Sequence, residues 1–309
     1  MGRPVAPVIF LIYRRPELTA QVFARISAAR PPTLIVVADG PKEDSVEDQK
    51  AVALTREVVS DIDWDCDVHR VYSARNLGLK ERVSSGLTEA FQIVDEAIVV
   101  EDDCLPDMSF FGYASELLER YRDDTRVGLI AGSSRVRGHM PSPYSYDFSP
   151  DLRIWGWASW KRTWQGFIDS GDLDAHWDES QVAGVLENLH GRRRNRVASM
   201  LQTANSLDSW ALPFLAHFVR QRYVCAVPEV NLVENVGFGA SSTHTKFENF
   251  VQQVGAEVIS QPLRHPPDVV VNPEVDRVEG REDTFFALTY LLRHPLEVAR
   301  RLVRYFRFR

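Results

Sequence analysis

Along the first hundred residues the chain switches regularly between unbroken apolar runs and stretches whose apolar positions recur at helical intervals. "PVIFLIY" (7–13) is a run of the kind that forms a strand covered on both faces. "PELTAQVFARISAAR" (16–30) follows with helical spacing behind a proline suited to a first turn. A second strand and turn come in "TLIVVADG" (33–40), and a second helix in "KAVALTREVVSDI" (50–62). "DVHRVYSA" (67–74), "LKERVSSGLTEAFQIV" (79–94) and "AIVVEDD" (97–103) repeat the pattern as strand, helix and strand. This alternation predicts right-handed crossovers and an α/β fold, with a mostly parallel central sheet and helices on both faces.

Farther along, the spacing predicts an amphipathic helix in "SFFGYASELLERYRDD" (109–124), an apolar strand ending in small residues in "RVGLIAGSS" (126–134), and a helix in "SWALPFLAHFV" (209–219). "RIWGWASWKRTWQGF" (153–167) holds four of the seven tryptophans, and Trp160 and Trp164, at helical spacing, are expected to fill the core. The pattern changes after residue 250. "QPLRHPPDVVVNPEVDRVEGRED" (261–283) is proline-rich and polar, a linker or a surface-hugging extension. Behind it lies a helical pattern broken at Pro295, whose end sets Arg300, Arg301, Arg304, Arg307 and Arg309 among aromatic and aliphatic residues. The expected organisation is a main unit over 1–250, divided into halves 1–105 and 106–250, and an extension over 251–309.

Composition narrows the class without choosing within it. A chain of 309 residues with 44% hydrophobic and 26% charged positions is ordinary globular protein, and a formal net charge of −7 speaks against nucleic acid as a partner. The three scattered cysteines carry no CxxC spacing for zinc or redox work and fit a reducing compartment. The apolar run at 5–13 is too short to span a bilayer, and the residues before it lack a cleavage-site pattern. A cytoplasmic protein is the expectation. The basic aromatic tail allows peripheral contact with the inner face of a membrane, or equally a helix docked on the body.

The chemistry is expected where the strands stop. In open α/β sheets ligands bind beyond the carboxyl ends of the strands. Tyr13-Arg14-Arg15, Asp39-Gly40, Arg75-Asn76 and the triplet Glu101, Asp102, Asp103 all fall at that edge. Taken singly, Asp39 and Asn76 suit ordinary turns. Three adjacent carboxylates abutting a buried strand call for a neutralising partner, and a hard divalent cation, Mg2+ or Mn2+, is the expected one. Such ions take one or two protein carboxylates and complete their shell with phosphate oxygens and water. Neither a GxxxxGK[ST] loop nor a GxGxxG after the first strand is present. A metal-bridged nucleoside diphosphate without either loop points to sugar-nucleotide chemistry.

"EDD" at a strand end, followed by "CLPDMSFF", resembles the DxD-type motif and following turn of glycosyltransferases with the GT-A fold. The order of pieces over about 7–250 resembles N-acetylglucosaminyltransferase I and bacterial family 2-like glycosyltransferases. This resemblance implies a nucleotide-diphospho-sugar transferase fold and a donor, most readily a UDP-sugar, held by Arg15, Asp39 at the base, Asn76, Lys80, Glu101, and Asp102 at the ribose. Asp103 would bind the metal, and His244 in the mobile loop "NVGFGASSTHT" (235–245) would complete its shell. "LDSW" resembles the stretch that carries the catalytic base, which would be Asp208, although a serine stands where a second Asp is expected. On the residues alone, Asp208 suits a helix N-cap equally well. Glu229 and Glu234 stand in reserve. Trp155 and Trp157, flanking a glycine, would offer a platform to the acceptor, and Gly132, Ser133 and Ser134 would leave room for a sugar.

The implied reaction is a single displacement that inverts the anomeric carbon, the acceptor being a glycan or a lipid-linked hydroxyl in polysaccharide biosynthesis. Two other classes compete: a sugar nucleotidyltransferase, which wants a glycine-rich phosphate loop that "YRRPEL" does not supply, and a non-catalytic sugar-nucleotide-binding assembly protein.

Overall fold

The computed structural model describes residues 4–134, 142–237, 255–275 and 277–278. Its first elements are β1 (Val8–Ile12), α1 (Pro16–Ala29), β2 (Thr33–Ala38), α2 (Val46–Val58), β3 (Asp67–Tyr72), α3 (Leu79–Ile93) and β4 (Glu96–Glu101). They follow the predicted alternation closely. The largest shift is at α2, which starts four residues before the expected helix because Ser45 accepts a hydrogen bond from the Asp48 N–H at 3.1 Å and caps the extra turn. After β4 come β5 (Cys104–Pro106), α4 (Met108–Arg120), β6 (Val127–Ala131), β7 (Tyr146–Ser149), β8 (Trp157–Trp160), α5 (Lys161–Asp169), α6 (Glu179–Leu186), α7 (Gly191–Leu201), α8 (Ala211–Arg220), β9 (Val224–Pro228) and β10 (Val233–Asn235).

Eight strands among the described residues form one sheet in the order β3-β2-β1-β4-β8-β6-β9-β7. β3, β2, β1 and β4 pair in parallel, as do β6 and β9. β8 runs antiparallel between β4 and β6, and β7 antiparallel beside β9. Within this sheet all strands except β7 and β8 therefore share one direction, which is the mostly parallel α/β architecture, while β5 and β10 form a separate antiparallel pair. The apolar runs have the cause expected of them: every residue of β1 is buried, because each face of the sheet meets its own layer of helices.

On one face Val8, Phe10, Val36 and Val100 pack with Val22 and Ile26 of α1 and with Phe110, Tyr113 and Leu117 of α4. On the other, Ile9, Leu11, Val37 and Val99 pack with Leu87 and Phe91 of α3, Trp164 of α5, and Phe214 and Phe218 of α8. Trp160 and Trp164 are both core residues as expected, but they lie on opposite faces, since Trp160 ends a strand and only Trp164 is helical. An outer layer of α6 and α7 covers α8 through Val185, Leu186, Val197, Leu201, Leu215 and Val219. The described part of the 251–309 extension hugs the body. Ile259 and Leu263 enter the first core and Val275 the second, Asn272 N–H donates to Phe148 O at 2.8 Å, and the Tyr146 hydroxyl lies 2.9 Å from His265 Nδ1. No described helix is long and apolar enough to cross a membrane. The basic end of the extension lies outside the described residues.

Candidate active site

Because β1, β2 and β3 are in register through Ile12, Ala38 and Tyr72, and Glu101 sits beside Leu11, their carboxyl ends form one rim. Past that rim each chain must turn. Arg14 does so in the left-handed region, with φ of 48°, a conformation uncommon outside glycine. The turn sends Arg15 back toward the end of β4. One amino group of its guanidinium bonds Asp102 Oδ1 and the other donates to Asp103 Oδ2 at 2.7 Å. Asp102 is only 2% exposed, and its Oδ2 accepts from the Tyr13 N–H at 2.9 Å. The neutralising partner of these two acids is thus an arginine, where the sequence reading expected a cation. Asp102 is likewise not open to a ribose: it ties β4 to the end of β1.

Three carboxylates here face one guanidinium. Burial, reinforced by the charges of Asp103 and Asp102, pushes the Glu101 carboxyl up to about 8. Burial also pushes Asp102 up to about 6, against the pull of Arg15 and with the push of Asp103. Burial works the other way on Arg15, yet Asp102 and Asp103 outweigh it and hold the guanidinium charged. The tip therefore gathers three carboxylates around a single guanidinium, and the strain of that gathering is taken up in part by Glu101 holding its proton.

Asp39 and Asn76 are engaged with each other. Asp39 accepts from the backbone N–H groups of Gly40 at 2.8 Å, Leu77 at 3.0 Å and Gly78 at 3.1 Å, and from Asn76 Nδ2 at 2.9 Å. Asn76 Nδ2 also donates to the Tyr13 hydroxyl at 3.1 Å and to Gly40 O at 3.1 Å. With its lone pairs committed, Asp39 fixes the β3–α3 turn and does not present a free carboxylate to a base, a correction to the expected role. Burial raises its pKa, and the donated N–H bonds oppose the rise.

Asp208 caps a helix, but not its own. Its Oδ2 accepts from the Leu79 N–H at 2.7 Å and its Oδ1 from the Lys80 N–H at 3.0 Å, satisfying two unpaired donors at the start of α3. The helix it precedes, α8, has no side-chain cap. Gly78 makes the approach possible: it has φ of 83°, and a Cβ there would lie 2.8 Å from Asp208 Oδ2. Asp208 stays exposed, so each oxygen keeps a lone pair for another donor. Lys80 meets Asp208 through its backbone N–H, while its ammonium group reaches Asp174 Oδ1 at 3.6 Å.

Other expected positions fare differently. Trp157 is 1% exposed and stacks on Trp210 with ring centres 6.1 Å apart, so it is core and not an acceptor platform. Strand β8 runs through the middle of the sheet, which leaves its aromatic residue no route to solvent. Trp155 is half-buried against the first core. Gly132 leaves no room for a sugar, because Val233, Phe110 and the Gly156 carbonyl fill the space beside it. Glu229 is buried and paired with Arg264 at 3.3 Å, and Glu234 lies within β10 opposite Leu105. His244 lies outside the described residues.

Two contributors escaped the sequence reading. Tyr13, singled out only as part of a strand end, holds the rim through its N–H to Asp102 and its hydroxyl, which donates to Asp48 Oδ2 at 2.9 Å. Gly237 presses against Asp103: a Cβ at 237 would collide with that carboxylate, and the neighbouring Val236 N–H donates to Asp103 O at 2.8 Å. The pairing of β5 with β10 brings them together. Only the glycine-rich composition of 235–245 hinted at this.

The donor set bears on the implied cation. Among the described residues no group of three or more His, Cys, Asp or Glu side chains is gathered to hold a metal. The tip therefore does not suit an ion caged by protein alone. It does suit one that arrives with phosphate oxygens and needs a single carboxylate, because Asp103 stands at the edge of a charge excess.

No protein-family model and no curated protein sequence matches the chain. Among solved structures, a mannosyltransferase from Pyrobaculum calidifontis, in complex with GDP-Man and Mn2+, is similar at 15% identity over 71% of this chain and 70% of that one, with a TM-score of 0.38. A UDP-glucose pyrophosphorylase complexed with UDP-glucose is similar at 10% identity over 75% of this chain and 93% of that one, with a TM-score of 0.37. Likeness at this level assigns neither an activity nor a ligand to this chain.

Proposed function

We propose that the protein is a glycosyltransferase that takes a nucleoside-diphosphate sugar at the rim of β1–β4 and passes the sugar to a hydroxyl acceptor. The observation that carries this reading is the acidic tip of β4: three carboxylates against one bridging arginine, at the end of a parallel strand where this architecture binds ligands. Such a gathering is costly for a fold alone, whether the third acid is left unpaired or kept protonated.

In this reading Asp103 holds a Mn2+ or Mg2+ ion, which when bound supplies positive charge beside the departing diphosphate. Arg15 is within reach of the same phosphates and binds them through its fork. Asp208 takes the proton of the acceptor hydroxyl as its oxygen bonds to the anomeric carbon, the bond from that carbon to the diphosphate breaks, and the configuration inverts. The N-terminus of α3 keeps Asp208 oriented for this task. The acceptor is a glycan or lipid-linked hydroxyl.

The test is a panel of UDP- and GDP-sugars incubated with Mn2+ and the purified protein. Release of the nucleoside diphosphate, by hydrolysis or by transfer to an acceptor extract, is expected. Formation of a nucleoside triphosphate on adding pyrophosphate would instead mark a nucleotidyltransferase, and binding with no turnover an assembly protein.

A further inference from the structure

The Arg15 fork spans Asp102 and Asp103, and so occupies Oδ2 of Asp103, one of the two oxygens open to a cation, and places a positive charge beside the other. We infer that Arg15 is an internal counterion which a diphosphate draws away, so that cation and diphosphate bind this rim cooperatively and the cation binds poorly by itself. The inference rests on the proposed nucleotide-sugar reading and adds to it a coupling between its two ligands.

The movable member of the cluster is the arginine. Asp102 is fixed by the Tyr13 N–H, and its own N–H donates to Leu11 O at 3.0 Å within the sheet edge. Asp103 is fixed at its backbone by Val236 and backed by Gly237, so it cannot swing toward β10. Arg15 sits on the turn before α1, where it fills the N-cap position with no side-chain cap bond of its own, and its long side chain is one-fifth exposed. Nothing but the two carboxylates holds its guanidinium among the described residues.

A guanidinium fork fits phosphate oxygens as well as it fits carboxylates. When a diphosphate arrives, Arg15 gains a second partner of matching shape, and Asp103 Oδ2 becomes available to a cation. Without a diphosphate, a cation at Asp103 either displaces a guanidinium that is only one-fifth exposed or binds against its charge. The described residues provide no alternative three-ligand cage. By linkage, whatever factor the diphosphate adds to cation affinity, the cation adds to diphosphate affinity.

Mn2+ binding to the full chain, followed through the electron paramagnetic resonance of the free ion, tests the coupling with and without UDP or GDP. For the unaltered protein, nucleotide should tighten Mn2+ binding by about tenfold or more. Arg15→Met should bind Mn2+ more tightly than the unaltered protein when nucleotide is absent, and its coupling factor should fall to what direct ligation by the phosphate oxygens alone supplies. Arg15→Lys, whose single point charge cannot span two carboxylates, should fall between them and carries the test if the methionine variant does not fold by circular dichroism. Equal Mn2+ affinity with and without nucleotide in the unaltered protein would overturn the inference. So would nucleotide-free binding in both variants no tighter than in the unaltered protein. Equilibrium dialysis of UDP and GDP separates the two levels: nucleotide that binds without coupling sinks only the counterion exchange, whereas nucleotide that never binds sinks the functional reading with it.

Discussion

At the scale of the residue, Glu101 is a carboxyl whose position disfavours its own charge. Its carboxyl is pushed up to about 8 from an ordinary 4.5 by burial and by Asp103 and Asp102. A raised pKa means that the folded state binds the proton more tightly than the unfolded chain does. The stabilising effect of that proton is full below about 4.5 and is lost as pH rises through about 8. Glu101→Gln removes the dependence. In cation-free buffer the variant should melt above the unaltered protein at pH 8.5 and alongside it near pH 5; parallel melting profiles across this range would contradict the burial of the charge. The residue scale also shows what a sequence conveys and what it withholds. The excess of acid at "EDD" was legible because three carboxylates beside two buried valines need compensation whatever the fold. That Arg15 supplies part of it was not, since the contact depends on the left-handed turn at Arg14 and on a partner 88 positions away. Asp39 misled for a related reason: a lone Asp after a strand looks the same whether its oxygens face a ligand or the N–H groups of a turn 38 residues on.

At the scale of the element, the first three strand–helix units and β4 were legible to within a few residues because they carry their own periods, with proline at the start of α1 and Ser45 before α2 as punctuation. β8 was not. Four residues rich in tryptophan carry no period long enough to separate strand from helix, and their burial comes from neighbours distant in sequence. The contact between Asp208 and α3 belongs to the same class, and it joins stability to chemistry in one side chain. Asp208→Asn keeps one oxygen to accept from α3, gives up the other N–H bond at an exposed site, and cannot take up a proton. It should leave urea stability within about 0.5 kcal/mol while reducing turnover by about a hundredfold or more. Asp208→Ala should lose both, with stability falling by about 1 kcal/mol. Turnover that survives in the asparagine variant would reduce Asp208 to a cap.

At the scale of the whole molecule, the parallel half of the sheet delivers Tyr13, Arg15, Asp39 and Asp103 to one rim, while the antiparallel insertion of β8 and the helices α5 and α8 build the second core beneath Asp208. The strand and helix alternation up to β4 was legible from periodicity, but the way the later strands join the same sheet was not. Only the completed topology sets α3 beside Asp208 and β10 beside Asp103. The claim on which the account depends is that this rim takes a nucleoside diphosphate through a cation at Asp103. Calorimetric titration of UDP and GDP in saturating Mn2+, into the unaltered protein and into Asp103→Asn, measures it most directly. Binding of at least one nucleotide by the unaltered protein, weakened about tenfold or more in the variant, is the predicted result; equal binding by the two proteins, or none by either, would contradict it.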